Sequence, residues 1–183
     1  IDKAGITPLQ NDFNTVNAIT NTDQMINVIA DMHRKGVGAA FGNYIAQDDK
    51  NSEQMAVIFG QGGLGMPNRD YYFNTDERTL KVKAAYRNYM LKTIKQMASA
   101  NEDAQKIAND IFALETKLAT ASRKLADLRD PYKNYNKMSW ADLAKLSGNV
   151  NWAAYAKLTG EDKVDSVIVG QPEFYSALSK LFK

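Results

Sequence analysis

No cysteine occurs among the 183 residues, and histidine occurs once, as His33. Without thiols there is no disulfide framework, no thiolate metal site and no cysteine nucleophile. One histidine does not make an ordinary self-contained zinc site, which draws on several His or Cys ligands. Charge of one sign is scarce too. The 23 Lys and Arg against 21 Asp and Glu leave a formal charge of only +2, mixed along the chain, which argues against a nucleic-acid footprint. No apolar run approaches the ~20 residues of a membrane-spanning helix. Nor is there a sequence period of the ~20–50 residues that mark a solenoid. The start, IDKAGITPLQ, has neither an initiator Met nor a signal peptide, and reads as the middle of something longer, with Ile1 an expression or a processing boundary.

What is present is ordinary for a globular protein: 44% hydrophobic and 24% charged residues. A chain of this length suits one domain and buries roughly 70% of its unfolded surface without a disulfide or a metal. Thr7 followed by Pro8 predicts a helix start with Thr7 as cap, and Leu9, Phe13 and Val16 mark its apolar face. A second helix is predicted after Thr22, with Met25, Ile26, Ile29 and Met32 on one face and Gly36 as its stop. The period then changes. Two short apolar segments, 38–46 and 53–60, joined by the polar turn QDDKNS, predict a β-hairpin at about 38–60.

Two long helices follow in the pattern. Thr75, with Asp76 and Glu77 behind it, caps the first, which carries Val82, Tyr86, Met90, Ile94 and Met97. Asn101 caps the second, where Ile107, Ile111, Leu114, Leu118, Ala121 and Leu125 recur at steps of four and three. A short connection between such stripes implies an antiparallel pair sharing one apolar seam, ended at Asp130 by Pro131. Ser139 and Asp142 form a box-like start for a short helix that stops at Gly148. Further helical turns run from Trp152 to Leu158 and stop at Gly160. Val164–Val169 reads as a short strand, and Pro172 opens a last helix with Phe174, Leu178 and Leu181. The expected fold class is mainly α: one helical lobe over 1–183, built around the long antiparallel helix pair, with one β-hairpin.

Residues 60–73, GQGGLGMPNRDYYF, hold the most pointed motif. Gly60, Gly62 and Gly65 fit the dinucleotide spacing G-x-G-x-x-G, which requires the third glycine to open a helix. Pro67 instead forces Met66 into extended backbone. The glycines are therefore expected to supply positive φ or close approach of another segment. His33 reads as a boundary-packing residue near a helix C-terminus, where the dipole favours imidazolium. Arg69-Asp70-Tyr71-Tyr72 offers a cation, an anion and two phenols. They either converge on a peptide or neighbouring domain, or form a local Arg–Asp pair with tyrosines as amphipathic wall. Arg129-Asp130-Pro131 reads as a charge pair and helix terminator, with Tyr132, Tyr135 and Asn136 anchoring the next loop. Lys81, Lys83 and Arg87 read as a solvated helix face. The residues alone give a helical domain without a self-sufficient catalytic centre.

LGMPNRDYYF, Leu64 to Phe73, resembles the L-G-L-P-x-R-D-Y-Y stretch of the neprilysin and endothelin-converting-enzyme family of zinc metallopeptidases. LRDPYKNYNKMS, Leu128 to Ser139, is similar to that family's R-D-P-x-x-x-Y-N-x-M segment. IDKAGITPLQ, DDKNS at 48–52 and VGQPEFYSAL at 169–178 agree as well, in the family's order, so the resemblance covers essentially the whole chain. The glycine-rich variant looks closest to the bacterial oligopeptidase O branch. The resemblance implies a helical lobe covering a thermolysin-like catalytic lobe that carries H-E-x-x-H and a later glutamate. This sequence contains no H-E-x-x-H, so it looks like a piece of the family's N-terminal region. No catalytic or metal residue is assigned here: zinc would belong to the parent enzyme, with none bound by this chain.

The implied partners are the missing catalytic lobe and, in the parent, short peptide substrates. Nucleic acid is not among them, and this chain carries no membrane span. The implied location is extracellular or periplasmic, as for an exported bacterial protein. Arg69, Asp70, Tyr71, Arg129 and Asp130 are the candidate cavity or interdomain contacts. The alternative is a free-standing helical module that binds peptide or protein without catalysis. The downstream coding sequence discriminates the two readings, through an H-E-x-x-H several hundred residues on or a stop codon after Lys183.

Overall fold

The structure is a computed structural model that describes residues 4–97, 103–148 and 150–182. In chain order come α1 (Gln10–Asn17), α2 (Thr22–Arg34), β1 (Phe41–Asp48), β2 (Asn51–Gln61) and the single turn α3 (Asp70–Phe73). The long helices α4 (Glu77–Met97) and α5 (Ala104–Ala121) follow. Then come β3 (Asn136–Ser139), α6 (Trp140–Leu146), α7 (Trp152–Thr159), β4 (Ser166–Val169) and α8 (Pro172–Leu181). Short 3₁₀ turns cover Thr7–Leu9 and Asp127–Arg129.

The mainly helical class holds, and the packing is centred on a sheet. Four strands lie in the order β1-β2-β4-β3. The outer neighbours pair antiparallel, and β2 pairs parallel with β4, Val57 opposite Val167 and Phe59 opposite Val169. The apolar run at Ser166–Val169 is thus a buried central strand, as a continuous apolar run in parallel pairing suggests. The hairpin is one half of this sheet rather than an isolated feature. Its strands also reach further than expected, leaving only Asp49 and Lys50 as the turn.

One face of the sheet makes the main core. Phe41, Phe59, Val57, Val167 and Val169 meet Ile26 and Ile29 of α2, Leu143 of α6, Trp152 and Tyr155 of α7, and Phe174, Tyr175 and Leu178 of α8. Phe41 packs edge-on against Trp152 at 5.4 Å between ring centres, and Phe59 does so at 5.5 Å. Each large aromatic with a polar tip finds a partner, as burial demands. Trp152 Nε1 donates to Ser147 Oγ at 2.6 Å, and the Tyr175 hydroxyl donates to Gly60 O at 2.8 Å.

The two long helices run in opposite directions beside this core. Tyr86 meets Glu115, Arg87 lies over the Phe112 ring, and Met90 and Ile94 cluster with Ala108. The seam differs from the expected stripe. On α5 it is made by Ile107, Ala108, Phe112, Glu115 and Ala119, while Ile111 and Leu114 are exposed. Leu114 and Leu118 face the other way, into an apolar groove of about 330 Å³ shared with Val28, Met32, Leu178 and Phe182. The expected residues Val82, Tyr86, Met90 and Ile94 of α4 and Ile107 of α5 do lie in the seam, whereas Leu114 and Leu118 of the same α5 stripe serve another neighbour.

Several ends also differ from expectation. Thr7 is the first residue of a 3₁₀ turn and caps nothing; α1 buries no residue, with Leu9 50% and Val16 38% exposed. The cap of α4 is Asp76 rather than Thr75, its carboxylate accepting the Thr79 N–H at 3.0 Å and hydroxyl at 2.6 Å. Asn101 lies outside the described residues, and Asp103 caps α5, accepting the Gln105 and Lys106 N–H groups at 3.0 Å each. Helix α5 stops at Ala121, well before Asp130, because Gln61 captures the backbone just beyond it. Arg123 N–H donates to Gln61 Oε1 at 2.6 Å, and Gln61 Nε2 donates to Arg123 O at 3.1 Å. Locally signalled ends hold: Gly36 and Gly160 are left-handed stops, and Ser139 caps α6 through the Asp142 N–H.

Candidate functional site

The glycine loop is shaped by crowding. Gly63 has φ +73°, and a Cβ there would lie 2.8 Å from Ala40 O. A Cβ on Gly65 would lie 2.6 Å from Tyr86 Cζ and 2.9 Å from Glu115 Oε1. No long helix opens on the loop, since α3 is a single turn starting at Asp70. Positive φ and close approach explain these glycines, and a phosphate cradle does not.

The loop closes on Glu115, a buried carboxylate on α5. Its oxygens accept the Tyr72 hydroxyl at 2.9 Å and the Tyr86 hydroxyl at 2.7 Å. The Tyr72 oxygen in turn accepts the Met66 N–H at 3.2 Å. Burial first, and the neighbouring carboxylate with it, pushes both phenols well above the ordinary tyrosine range, so both stay protonated donors. One carboxylate thereby ties the loop, α3, α4 and α5 together.

Around it the R-D-Y residues divide. Arg69 forms no pair with Asp70: its Nε donates to Ala119 O at 3.1 Å and its guanidinium lies 5.1 Å from the Phe73 ring centre. It thereby satisfies a carbonyl in the last turn of α5. Among the described residues the Asp70 carboxylate and the Tyr71 hydroxyl have no hydrogen-bond partner. They line a small hollow of about 220 Å³ with Asn68 and Asn74. Lys83, expected to be a solvated charge, donates to Tyr72 O at 3.0 Å and steadies the same turn.

The second motif forms a strap, residues 123–135, beside the outer face of the sheet, and runs on into the edge strand β3. The Arg123 guanidinium holds Glu173 through two bonds, and donates to Lys133 O at 2.9 Å and Gly170 O at 3.1 Å. Asn134 Nδ2 donates to Asp127 O at 2.8 Å and Asp130 O at 2.7 Å, and its Oδ1 accepts from Gln171 at 2.7 Å. Asn136 reaches Val169 O at 2.9 Å. Asp48, buried at the hairpin end, accepts the Tyr135 hydroxyl at 2.9 Å and the Lys137 ammonium at 2.8 Å. The Lys137 bond, with the Lys50 N–H behind it, draws the Asp48 carboxyl down to about 2. Tyr135 and Asn136 anchor the strap as expected, whereas Tyr132 is 81% exposed and anchors nothing.

The expected Arg129–Asp130 pair is not formed. Asp130 turns into its own loop, accepting the Tyr132 and Lys133 N–H groups at 3.0 Å each, and these bonds hold its carboxyl below the usual range. Arg129 is exposed, and among the described residues its guanidinium has no partner. It lines a groove of about 400 Å³ between the strap and the sheet. The five candidate residues therefore do not converge. Asp70 and Tyr71 share one hollow, Arg129 lines another, and Arg69 and Asp130 are engaged within the fold.

His33 is half-buried. Its Nδ1 lies 2.7 Å from the Tyr155 hydroxyl and its Nε2 3.0 Å from Ala39 O. Asn43 Nδ2 donates to the same hydroxyl at 2.6 Å and to Glu161 at 3.0 Å. Burial lowers the imidazole pKa and outweighs the helix-end preference for imidazolium expected from sequence. Both ring nitrogens are thus occupied by protein partners, and among the described residues no three His, Asp or Glu side chains are grouped to hold a metal. The described residues do not fit a zinc ion. Glu115, Asp48 and Arg123 were the organising residues that sequence reasoning missed. The available signal was a carboxylate set into the apolar side of α5, and the first residue of DDKNS.

A sheet strapped on one face and wrapped by helices on the other is a lobe of the kind found in zinc metalloproteases. The whole chain matches the Mycobacterium tuberculosis zinc metalloprotease Zmp1, solved in complex with an inhibitor, at TM-score 0.90 and 28% identity, covering 28% of that chain. Residues 1–183 match the model described as Peptidase family M13, and the chain belongs to that family. It is 31% identical over 157 residues to Neprilysin-3 of Drosophila melanogaster, covering 82% of this chain and 20% of that protein. It is 35% identical over 116 residues to mouse endothelin-converting enzyme 1, covering 63% of this chain and 15% of the enzyme. The chain thus spans about a fifth of the length of such relatives. No helix among the described residues is long and apolar enough to cross a membrane.

Proposed function

We propose that this chain is the non-catalytic helical part of a neprilysin-like zinc endopeptidase of the bacterial oligopeptidase O type, one that hydrolyses short peptides. In this reading residues 1–183 form a single lobe that covers the substrate cavity and helps to shape it, with the α4–α5 pair and the hairpin as its rigid walls. One observation carries it. Along its own whole length the chain matches the zinc metalloprotease Zmp1 at TM-score 0.90, and it spans just over a quarter of that protease. The metal belongs to the catalytic lobe, which is the chain's partner. The groups of Asp70, Tyr71 and Arg129, unpaired among the described residues, are the contacts to peptide or to that lobe, while Arg69 and Asp130 hold the fold beneath them. The parent is exported, to the periplasm or beyond.

The test is direct. The purified 183-residue chain supplied with zinc is expected to leave short peptides uncut, and the parent enzyme to cleave them with chelator-sensitive turnover. Chelator-sensitive turnover by the pure chain overturns the reading. Failure of the chain to associate with a separately produced H-E-x-x-H lobe favours the free-standing binding module instead.

A further inference from the structure

We propose that the groove between the strap and the outer face of the sheet is a binding site for a peptide segment carrying one carboxylate side chain beside an apolar one. Tyr44 and Ile58 stand side by side in register on β1 and β2 and line the groove, with the buried Ile168 of β4 next in register. Its volume of about 400 Å³ lies within the range of peptide and small-ligand pockets. One cation of the strap, Arg129, lines the groove. Residues 123–139 hold five Lys and Arg against two Asp, in a chain whose whole formal charge is only +2. Most of these cations are engaged: Arg123 with Glu173, Lys137 with Asp48, and Lys133 with Asp130 at 3.7 Å. Arg129 lines the groove without a partner among the described residues, beside Pro131.

An unpartnered guanidinium in a groove that also has apolar lining selects a carboxylate with hydrocarbon next to it. Asp49 lines the same groove, so a ligand with acidic groups spread along it meets a like charge. One carboxylate fits, and a polyacidic segment does not. Arg129 lines the groove together with Leu128, Pro131 and Asn134 of the strap. The strap is fixed at both ends by Arg123 and by Tyr135 with Asn136, so the groove is preorganised rather than formed on binding. The assignment rests on this geometry alone and stands or falls apart from the peptidase reading, because it is read as binding without turnover.

The probe is the blocked peptide acetyl-Ala-Leu-Glu-Leu-Ala-amide, titrated into the isotope-labelled 183-residue chain. The backbone amides of Gly60, Gln61 and Gly170 are expected to shift and saturate. Arg129→Gln is expected to weaken binding about fivefold, the size of one exposed ion pair, and Arg129→Lys to keep part of it. Asp49→Asn is expected to tighten binding, and Tyr44→Ala to weaken it independently of salt. Equal binding of the Gln-for-Glu peptide, or shifts confined to other surfaces, overturns the site. Tighter binding of a neutral peptide with a free C-terminus overturns the choice of a side-chain carboxylate. If Arg129→Gln fails to fold, the Asp49→Asn comparison and the Gln-for-Glu peptide decide the matter on folded protein.

Discussion

Removing the Glu115 carboxylate leaves the hydroxyls of Tyr72 and Tyr86 without the acceptor they share at 2.9 and 2.7 Å. A buried donor left unsatisfied costs about 1–3 kcal/mol, so Glu115→Ala is expected to lower the unfolding free energy by about 3 kcal/mol in urea titrations. Glu115→Gln keeps one acceptor oxygen and should cost less. Asp70→Asn, at a side chain with no partner among the described residues, should change stability by no more than about 0.5 kcal/mol. His33 gives a pH signature that no other imidazole can confuse, being the only histidine. Its folded pKa lies below the unfolded value of about 6.5, so the neutral form is the one that folding favours. Its contribution is complete above that value and is lost as pH falls through it towards the folded pKa. The urea midpoint should therefore drop between pH 7.5 and 5, and His33→Gln should flatten that drop. Asp48 acts in a separate and lower window. Its contribution is complete above the unfolded carboxylate value of about 3.9 and fades as pH falls towards about 2.

Elements whose ends are set by neighbouring residues were legible in the sequence; those set by distant partners were not. Gly36, Gly160 and the Ser139–Asp142 box mark boundaries through their own backbone chemistry, and the structure keeps them. The end of α5 is decided instead by Gln61, 62 residues away, which grips both backbone groups of Arg123. Gln61→Ala is expected to cost about 1–3 kcal/mol for the lost pair of bonds and to loosen the strap. Limited trypsin digestion checks this: cleavage after Arg123, Lys124 and Arg129 should quicken relative to sites in α4. A trypsin pattern unchanged from wild type would show that Arg123 and Glu173 hold the strap without Gln61. The helix pair shows the same limit on sequence reading. The 4–3 stripe on α5 is real, but Leu114 and Leu118 point to α2 and α8, because periodicity reports an apolar face and not which neighbour it meets.

At the scale of the whole molecule, five motifs in order revealed the family, while the sheet that holds them stayed hidden. Its central pairing joins Val57–Phe59 to Val167–Val169, and nothing local links those runs. The candidate site was legible only as residue types. That Arg69 and Asp130 are engaged, and that Asp70 and Arg129 are unpartnered among the described residues, depends on where Ala119 and the Lys133 amide end up in space. The same long-range pairing fixes an order in time. Closing a loop of about 110 residues costs on the order of 4 kcal/mol of chain entropy before β2 and β4 can reward it, whereas the α4–α5 contacts are close in sequence. Pulse-labelled hydrogen exchange should find amides of α4 and α5 protected before those of β2. On a ribosome, β2 waits about 110 residues for its parallel neighbour, with Val57 and Phe59 lacking their β4 partners until residue 169 emerges, so the hairpin is the stretch most in need of a holding chaperone.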